Sequence, residues 1–367
     1  MSIIADCWVS FQASLFPNLC SCERDPLTQK LKMLLDTLET IDIGKHVPMY
    51  AGWMGRRRIS RASIARAFIA KSVYDLPTTD LLIEMLRLQP TLRKVCGFQT
   101  QRDIPSPATF SRAFAEFTKA SLGDGVLAAM VKKHVGDQVV LHASTDATEI
   151  DAREKGVARK PKDVATAKPS KRHGPPRKGE VREAKEPTRI QRQLKQTIEQ
   201  AVAELPKACD WGTKTNSQGR KHTWKGYKSH ITWADDNLPL SVITTSASVH
   251  DSQVAIPLMR TAARGARIVY DLMDAAYEAE AIRTASQDLG HVPIINPKPH
   301  NGAIAWFFPA ECERYKERTT AERGNSRLKD EFGARHVRVR GHAKVHMHIM
   351  FGIIALFADQ ILKPITG

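Results

Sequence analysis

No glycine-rich phosphate loop of the Walker or Rossmann type occurs in this chain, so nucleotide hydrolysis and dinucleotide redox chemistry are poorly supported. Long apolar runs are missing too. Nothing approaches the ~18 residues that span a bilayer, and the nearest candidate, residues 349–358, fits a buried C-terminal helix better. The N-terminus does not read as a signal peptide, because Asp6 and other polar residues interrupt its apolar positions and no basic segment precedes them. Cysteine is scarce and scattered. Cys20-Ser21-Cys22 lacks the two-residue spacing of a zinc pair, so no structural zinc is expected, and reduced thiols in a cytoplasmic protein are.

Acidic residues are also in short supply, with 39 Asp+Glu against 55 Lys+Arg for a net charge of +16. Such a surface attracts polyanions, of which nucleic acid is the commonest. The excess is concentrated: between Arg153 and Lys195 there are 15 Lys/Arg against 5 Asp/Glu, together with five prolines. That stretch reads as a mobile, partly disordered basic insertion as far as a helix over residues 190–205. It is either a solvated linker or a segment that holds DNA phosphates without sequence preference.

The 367 residues and 42% hydrophobic content suffice for two or three domains of ordinary core size. Apolar spacing predicts helices over residues 27–38, 60–74 and 78–88. Ser106-Pro107, an N-cap followed by proline, opens another over residues 107–119. Arg56, Arg57, Arg58, Arg61 and Arg66 cluster here. They suit a DNA-binding helical domain and a plain bundle with a basic face equally well.

From residue 138 the pattern changes. Strands are predicted at residues 138–151, 223–233 and 238–247, then a helix at 251–264, a strand at 267–273, a helix at 278–289, a strand at 292–296, and a final helix at 312–332. This is an α/β order in which hairpin strands come first and crossover helices follow.

On an uninterrupted final helix, Tyr315, Arg318, Glu322 and Lys329 fall within a stripe roughly 60° wide. An acid flanked by a phenol, a guanidinium and an ammonium suits a metal beside a phosphate. The bland alternative is a solvated helix laced with ion pairs. Two further acids make the first option concrete. Asp146 lies within the first strand, where a buried carboxylate is costly without compensation. Asp274 lies at the carboxyl end of the fourth, where ligand sites of open α/β sheets collect. Converging carboxylates are relieved by a hard divalent cation. Taken singly, Asp146 could instead cap a turn and Asp274 the following helix. Asp271 rivals Asp274, but strand alternation places it on the opposite face. His250-Asp251 reads as a structural histidine beside an N-cap.

In these residues the chain resembles the DDE transposases of bacterial insertion sequences, and among them the subgroup with a Y-(2)-R-(3)-E-(6)-K signature. Tyr315, Arg318, Glu322 and Lys329 match that spacing without a gap. Ser144-Thr145-Asp146, Lys225-Gly226-Tyr227-Lys228-Ser229-His230, residues 247–252 and Asp274-Ala275-Ala276-Tyr277 match further motifs, so the likeness covers roughly residues 138–360. Residues 55–117 resemble the helical N-terminal domain of such enzymes.

The resemblance implies an α/β fold: a ribonuclease-H-like mixed sheet flanked by helices, formed by residues 136–152 and 211–367. A helical N-terminal domain (1–135), DNA-binding in function, and the basic insertion (153–210) between the first two strands complete it. It implies Asp146, Asp274 and Glu322 as catalytic metal ligands for two Mg²⁺ ions, with Mn²⁺ able to substitute. Tyr315, Arg318, Lys329, Lys225 and Lys228 would contact DNA phosphates. The implied activity is cleavage at transposon ends followed by 3′-hydroxyl strand transfer into target DNA. The partner is double-stranded DNA, as terminal inverted repeats and as target, bound by a homodimer at the bacterial nucleoid and away from membranes. A domesticated DNA-binding derivative and a non-transposing nuclease of the same fold are the alternatives. Because the large insertion follows the first strand instead of preceding the glutamate helix, no hairpin intermediate is inferred. Trp306 would stack on an extruded base or simply pack.

Overall fold

The computed structural model describes residues 27–47, 59–157, 186–215, 218–297 and 307–366. Cys7, Cys20, Cys22, Arg56, Arg57, Arg58, Trp306 and the middle of the basic insertion lie outside the described residues. Of the remaining cysteines, Cys96 and Cys209 are buried, Cys312 is exposed, and none is in a disulfide.

The N-terminal helices are α1 (Gln29–Ile41), α2 (Arg61–Val73), α3 (Thr79–Leu88), α4 (Pro90–Val95), α5 (Pro107–Lys119) and α6 (Leu122–His134). Hydroxyls define three of their starts. Thr28, Ser60 and Thr78 each accept an N–H from the first turn of α1, α2 and α3. Ser106 occupies the same position before α5 but makes no such bond; Pro107 sets that start alone. The α6 helix escapes sequence detection because Gly123 and Gly125 dilute its apolar pattern. Gly123 is there for contact: a Cβ on it would lie 2.4 Å from Met350 Cβ. Arg61 is not part of a free basic face, because its guanidinium pairs with Glu116 of α5 at 2.7 and 2.8 Å.

The sheet follows: β1 (Val139–Asp151), β2 (Asp210–Thr215), β3 (Lys221–Trp233), β4 (Pro239–Ser246), β5 (Arg267–Met273) and β6 (Val292–Ile295). Its central order is β3-β1-β5-β6, with β1 antiparallel to β3 and parallel to β5, and β5 parallel to β6. The other edge of β3 is shared. Its N-terminal half pairs with β2 and its C-terminal half with β4, both antiparallel. This mixed sheet flanked by helices is the ribonuclease-H-like arrangement. The β2 strand was not expected; its residues (DWGTKT) are mostly exposed and lack an apolar alternation to betray them.

Helices α7 (Arg189–Gln193) and α8 (Ile198–Ala203) replace the single helix expected over residues 190–205. The break has a cause. Arg260 donates to the carbonyls of Gln193, Leu194 and Gln196 at 2.9–3.0 Å, capturing acceptors that an unbroken helix would use itself. Thr197 then caps the second helix. The crossover helices α9 (Ser252–Ala263) and α10 (Glu280–Asp288) flank β4 to β6. Along β4, Ser241 and Ile243 face α9, whereas Leu240, Val242 and Thr244 face the C-terminal helix.

The expected final helix over residues 312–332 is also interrupted. It consists of α11 (Pro309–Tyr315), a 3₁₀ turn at Lys316–Arg318, and α12 (Thr319–Asp330). Ser144 of β1 donates to the Glu317 carbonyl at 3.3 Å, and Thr319 donates to Lys316, so the tight turn is tied down from two sides. A last helix, α13 (His342–Thr366), contains residues 349–358. It is longer than the sequence reading allowed. Among the described residues its segment His342–Lys363 is the one helix long and apolar enough to cross a membrane, and most of its apolar stretch is buried. It is a core helix: Phe351 stacks on Phe68 of α2, and the N-terminal helices, β1, β3, α12 and α13 share one continuous apolar core.

Candidate active site

Asp146 projects from the middle of β1, whose partners fix its position. In the parallel register with β5 the last pair is Thr145 with Met273. One step further brings Asp146 beside Asp274, on neighbouring strands about 4.8 Å apart. Helix α12 crosses this point closely because Gly324 has no side chain; a Cβ there would sit 2.7 Å from the Trp233 ring. That approach lets Asn325 donate to Asp146 Oδ2 at 3.1 Å. Asp274 Oδ1 accepts the Ala276 N–H at 2.9 Å, so it also opens the turn Ala275–Tyr277. Asp271 is elsewhere, buried and bonded to Ser286 at 2.6 Å and His291 at 2.9 Å.

Asp146, Asp274 and Glu322 line one cleft of about 620 Å³. Lys228 and Lys329 line it too, whereas Lys225 does not. The Lys225 side chain lies instead beside Gly156 and Cys209. Glu322 is turned to Arg318, whose guanidinium donates to it at 2.5 Å, and its side chain is 56% exposed. Arg318 lies over the Tyr315 ring, 5.9 Å from its centroid. Because residues three apart eclipse in a 3₁₀ turn, this pair stacks more directly than on the uninterrupted helix expected. Lys329 pairs with Glu149 of β1 at 3.4 Å.

Several lining residues carried no signal in the sequence. Asp251 was read as an N-cap, but it caps nothing with its side chain. Its carboxylate takes the Lys228 ammonium at 2.9 Å instead and lines the cleft. Asn325, Lys214 and His222 line it as well. Only Asp251 could have been flagged, as an acid adjacent to a motif; the others depend on how β2, β3 and α12 meet.

The electrostatics invite a cation. Five carboxylates (Asp146, Glu149, Asp251, Asp274, Glu322) face three ammoniums (Lys214, Lys228, Lys329) across the cleft. Burial pushes the Asp146 carboxyl up to about 6, and the Asp274 charge adds to the rise while Lys214 and Arg318 oppose it. The Tyr277 phenol is buried with no hydrogen bond to its hydroxyl. It is held well above its usual range by burial and by the charges of Asp251, Asp146 and Asp274. The donor chemistry therefore fits a hard divalent ion with oxygen ligands. The carboxylates are not drawn into a ligand shell, however: among the described residues no three His, Cys, Asp or Glu side chains are gathered closely enough to hold a metal.

A pH dependence follows. Asp146 has a folded value of about 6, above its ordinary 3.8, so the folded state binds more protons than the unfolded state between those values. In metal-free buffer, stability should fall as pH rises from about 4 through about 6. Asp146→Asn should flatten that fall by of order 2 kcal/mol, after allowance for solvent screening. Urea denaturation of both proteins at a series of pH values checks this; parallel curves would show that the burial is illusory.

The strand order and the acid-lined cleft beside the end of β5 define a protein of the ribonuclease-H-like class. The Transposase DDE domain family matches residues 143–358, and a second family, Transposase domain (DUF772), matches residues 21–116. The chain belongs to the DDE transposase family, a membership that implies enzymatic potential and DNA binding in general. No curated protein and no solved structure matches it.

Proposed function

We propose that the chain is an insertion-sequence transposase of the Y-(2)-R-(3)-E-(6)-K subgroup, cutting DNA at transposon ends and joining the released 3′-hydroxyls to target DNA. One observation carries this reading: Asp146, Asp274 and Glu322, from two neighbouring strands and a crossing helix, line a single cleft with Lys228 and Lys329. These three acids would hold two Mg²⁺ ions, or Mn²⁺ in their place. When bound, such ions supply charge neutralisation at the attacking and leaving oxygens of an in-line displacement.

The chain's own residues have separate tasks. Asp146 and Asp274 sit on the rigid sheet and fix where the scissile phosphate lies. Arg318 offers a bidentate grip on a phosphate and Lys329 and Lys228 offer point charges, with Tyr315 supporting the Arg318 plane. A contribution from Lys225 would be made outside this cleft. In the first stage a water oxygen bonds to phosphorus as the water gives up a proton, the P–O3′ bond breaks, and the departing 3′-oxygen takes up a proton to become a hydroxyl. In the second, that 3′-hydroxyl bonds to a target phosphorus, a target P–O3′ bond breaks, and the phosphodiester count is unchanged. Duplex DNA, as terminal repeats and target, would be held by a homodimer, because two ends must meet. The bacterial cytoplasm, at the nucleoid, is the setting this requires. The proposed division is an N-terminal DNA-binding domain (1–135), the basic insertion (153–210) and a catalytic domain (136–152 and 211–367).

The test is a plasmid carrying the gene's own flanking DNA, incubated with the protein and Mg²⁺. Nicks with 3′-hydroxyl termini at inverted repeats, followed by joined products, are expected. Nicking without joining would mark a nuclease, and binding without nicking a domesticated derivative.

A further inference from the structure

A second cleft, of about 430 Å³, lies where α2, α3 and α5 meet α13 and the segment preceding it. Its cationic lining is lopsided: Lys71, Arg153, Arg338, Arg340 and Lys344 against the single carboxylate of Asp80. Among the described residues none of these five cations forms an ion pair within 4 Å, unlike Lys228, Arg318 and Lys329 in the acid cleft. Lys71 is the telling member. It is 8% exposed, and its ammonium makes no hydrogen bond among the described residues. Asp75 lies nearby on the same chain turn, without a hydrogen bond to its own Oδ1. An ammonium largely withdrawn from bulk water and without a bonded partner, opening onto a cleft, favours an anion there.

The cations are also held in place. Glu154, next to Arg153, accepts the Gly341 N–H with both carboxylate oxygens at 3.1 and 3.2 Å and takes the Tyr227 hydroxyl as well. That clamp fixes the Arg338–Arg340 segment against the end of β1. Phe68, Phe114 and Phe351 give the cleft an apolar floor, so charges at its rim act in a reduced dielectric.

Its position matters. Glu149 lines the acid cleft and Arg153 the basic one, and four residues of extended chain span at most about 14 Å. That is about four base pairs of duplex rise. We propose that this basic cleft receives two neighbouring backbone phosphates of the same DNA duplex whose scissile bond lies in the acid cleft, a proposal that rests on the DNA reading above. It would fix the direction in which the duplex leaves the site.

The test uses the full chain and a fluorescent 25-base-pair duplex of arbitrary sequence, titrated at salt concentrations from 50 to 200 mM. Arg338 and Arg340 are exposed, so the double variant Arg338→Gln/Arg340→Gln should fold normally, with an unchanged Tm as control. Two lost phosphate contacts should lower the slope of log K against log salt by ~1.8. The fourfold rise in salt should then cost the variant roughly twelvefold less affinity than the wild type, and Arg338→Lys/Arg340→Lys should restore the slope. Wild-type affinity and slope in the Gln variant overturn the proposal while leaving the transposase reading intact. Failure of the wild type itself to bind the duplex overturns both. Inorganic phosphate is the second probe. If it binds the wild type saturably but not the Gln variant, and duplex binding is equal in the two, the occupant is a free anion and the proposal falls.

Discussion

Glu322→Gln is expected to lower end cleavage by about a thousandfold while leaving DNA affinity within about twofold. The size is that of removing a charge used only in the transition state. The substitution is a clean probe because of where Glu322 sits. Its side chain is more than half exposed and its hydrogen bond is to Arg318, on the same helical segment. A glutamine keeps the shape and accepts the same bond, and an exposed i,i+4 pair is worth only a few tenths of a kcal/mol. Stability should hardly move. Cleavage of an end-containing duplex, anisotropy with the same duplex and thermal melting separate the three quantities. Wild-type cleavage in this variant would remove Glu322 from the site. A matched loss of binding and cleavage would make it a DNA contact instead.

The rest of the site was unevenly legible in the sequence. Asp146 and Asp274 could be singled out because strand periodicity over residues 138–151 and 267–273 was strong, and both spans agree with the observed strands to within a residue. The order of elements then placed the two acids on strands that could be neighbours. Glu322 was visible through its spacing to Tyr315, Arg318 and Lys329. What spacing could not show is where that helix tightens: the 3₁₀ turn depends on Ser144, far away in sequence, bonding to the Glu317 carbonyl. Lys225 and Lys228 looked equivalent within one motif, yet only Lys228 reaches the cleft, because they lie an odd number of residues apart on the strand. Asp251 was taken for a cap since its position before α9 fits one; Lys228 competes for its carboxylate and wins. Strand β2 and helix α6 were missed for a common reason, a polar or glycine-diluted pattern whose stability comes from the partner element.

Phe351→Ala is expected to have the largest effect on stability, about 3–5 kcal/mol. Phe351 of α13 stacks on Phe68 at 5.3 Å between centroids and also meets Phe114 and Phe117, at 6.1 and 6.5 Å. Those three rings belong to α2 and α5, so the loss falls on the contact between the N-terminal helices and the end of the chain. The energy is only half of the expectation. The apolar core runs without a break from α1 through α6 into α13, β1 and β3. Gly123 and Gly352 permit further close approaches of α13, to α6 and to the end of α12: a Cβ on Gly352 would lie 2.5 Å from the Phe332 carbonyl oxygen. Helices bound by a shared core should melt together. The variant should therefore show one cooperative transition at lower urea, followed identically by the fluorescence of its six tryptophans, Trp211, Trp224 and Trp233 of the sheet among them, and by far-ultraviolet circular dichroism, which is weighted to the helices. Two separated transitions would mean that the N-terminal helices fold as an independent unit, tethered to the mixed sheet but not built with it. In the coupled case the consequence is mechanical. If the N-terminal helices hold DNA, as proposed, that segment would be fixed in position relative to Asp146 and Asp274 through α13. Cleavage in Phe351→Ala should then fall even at temperatures where the protein remains folded, since a site displaced by about an ångström loses roughly a hundredfold in rate.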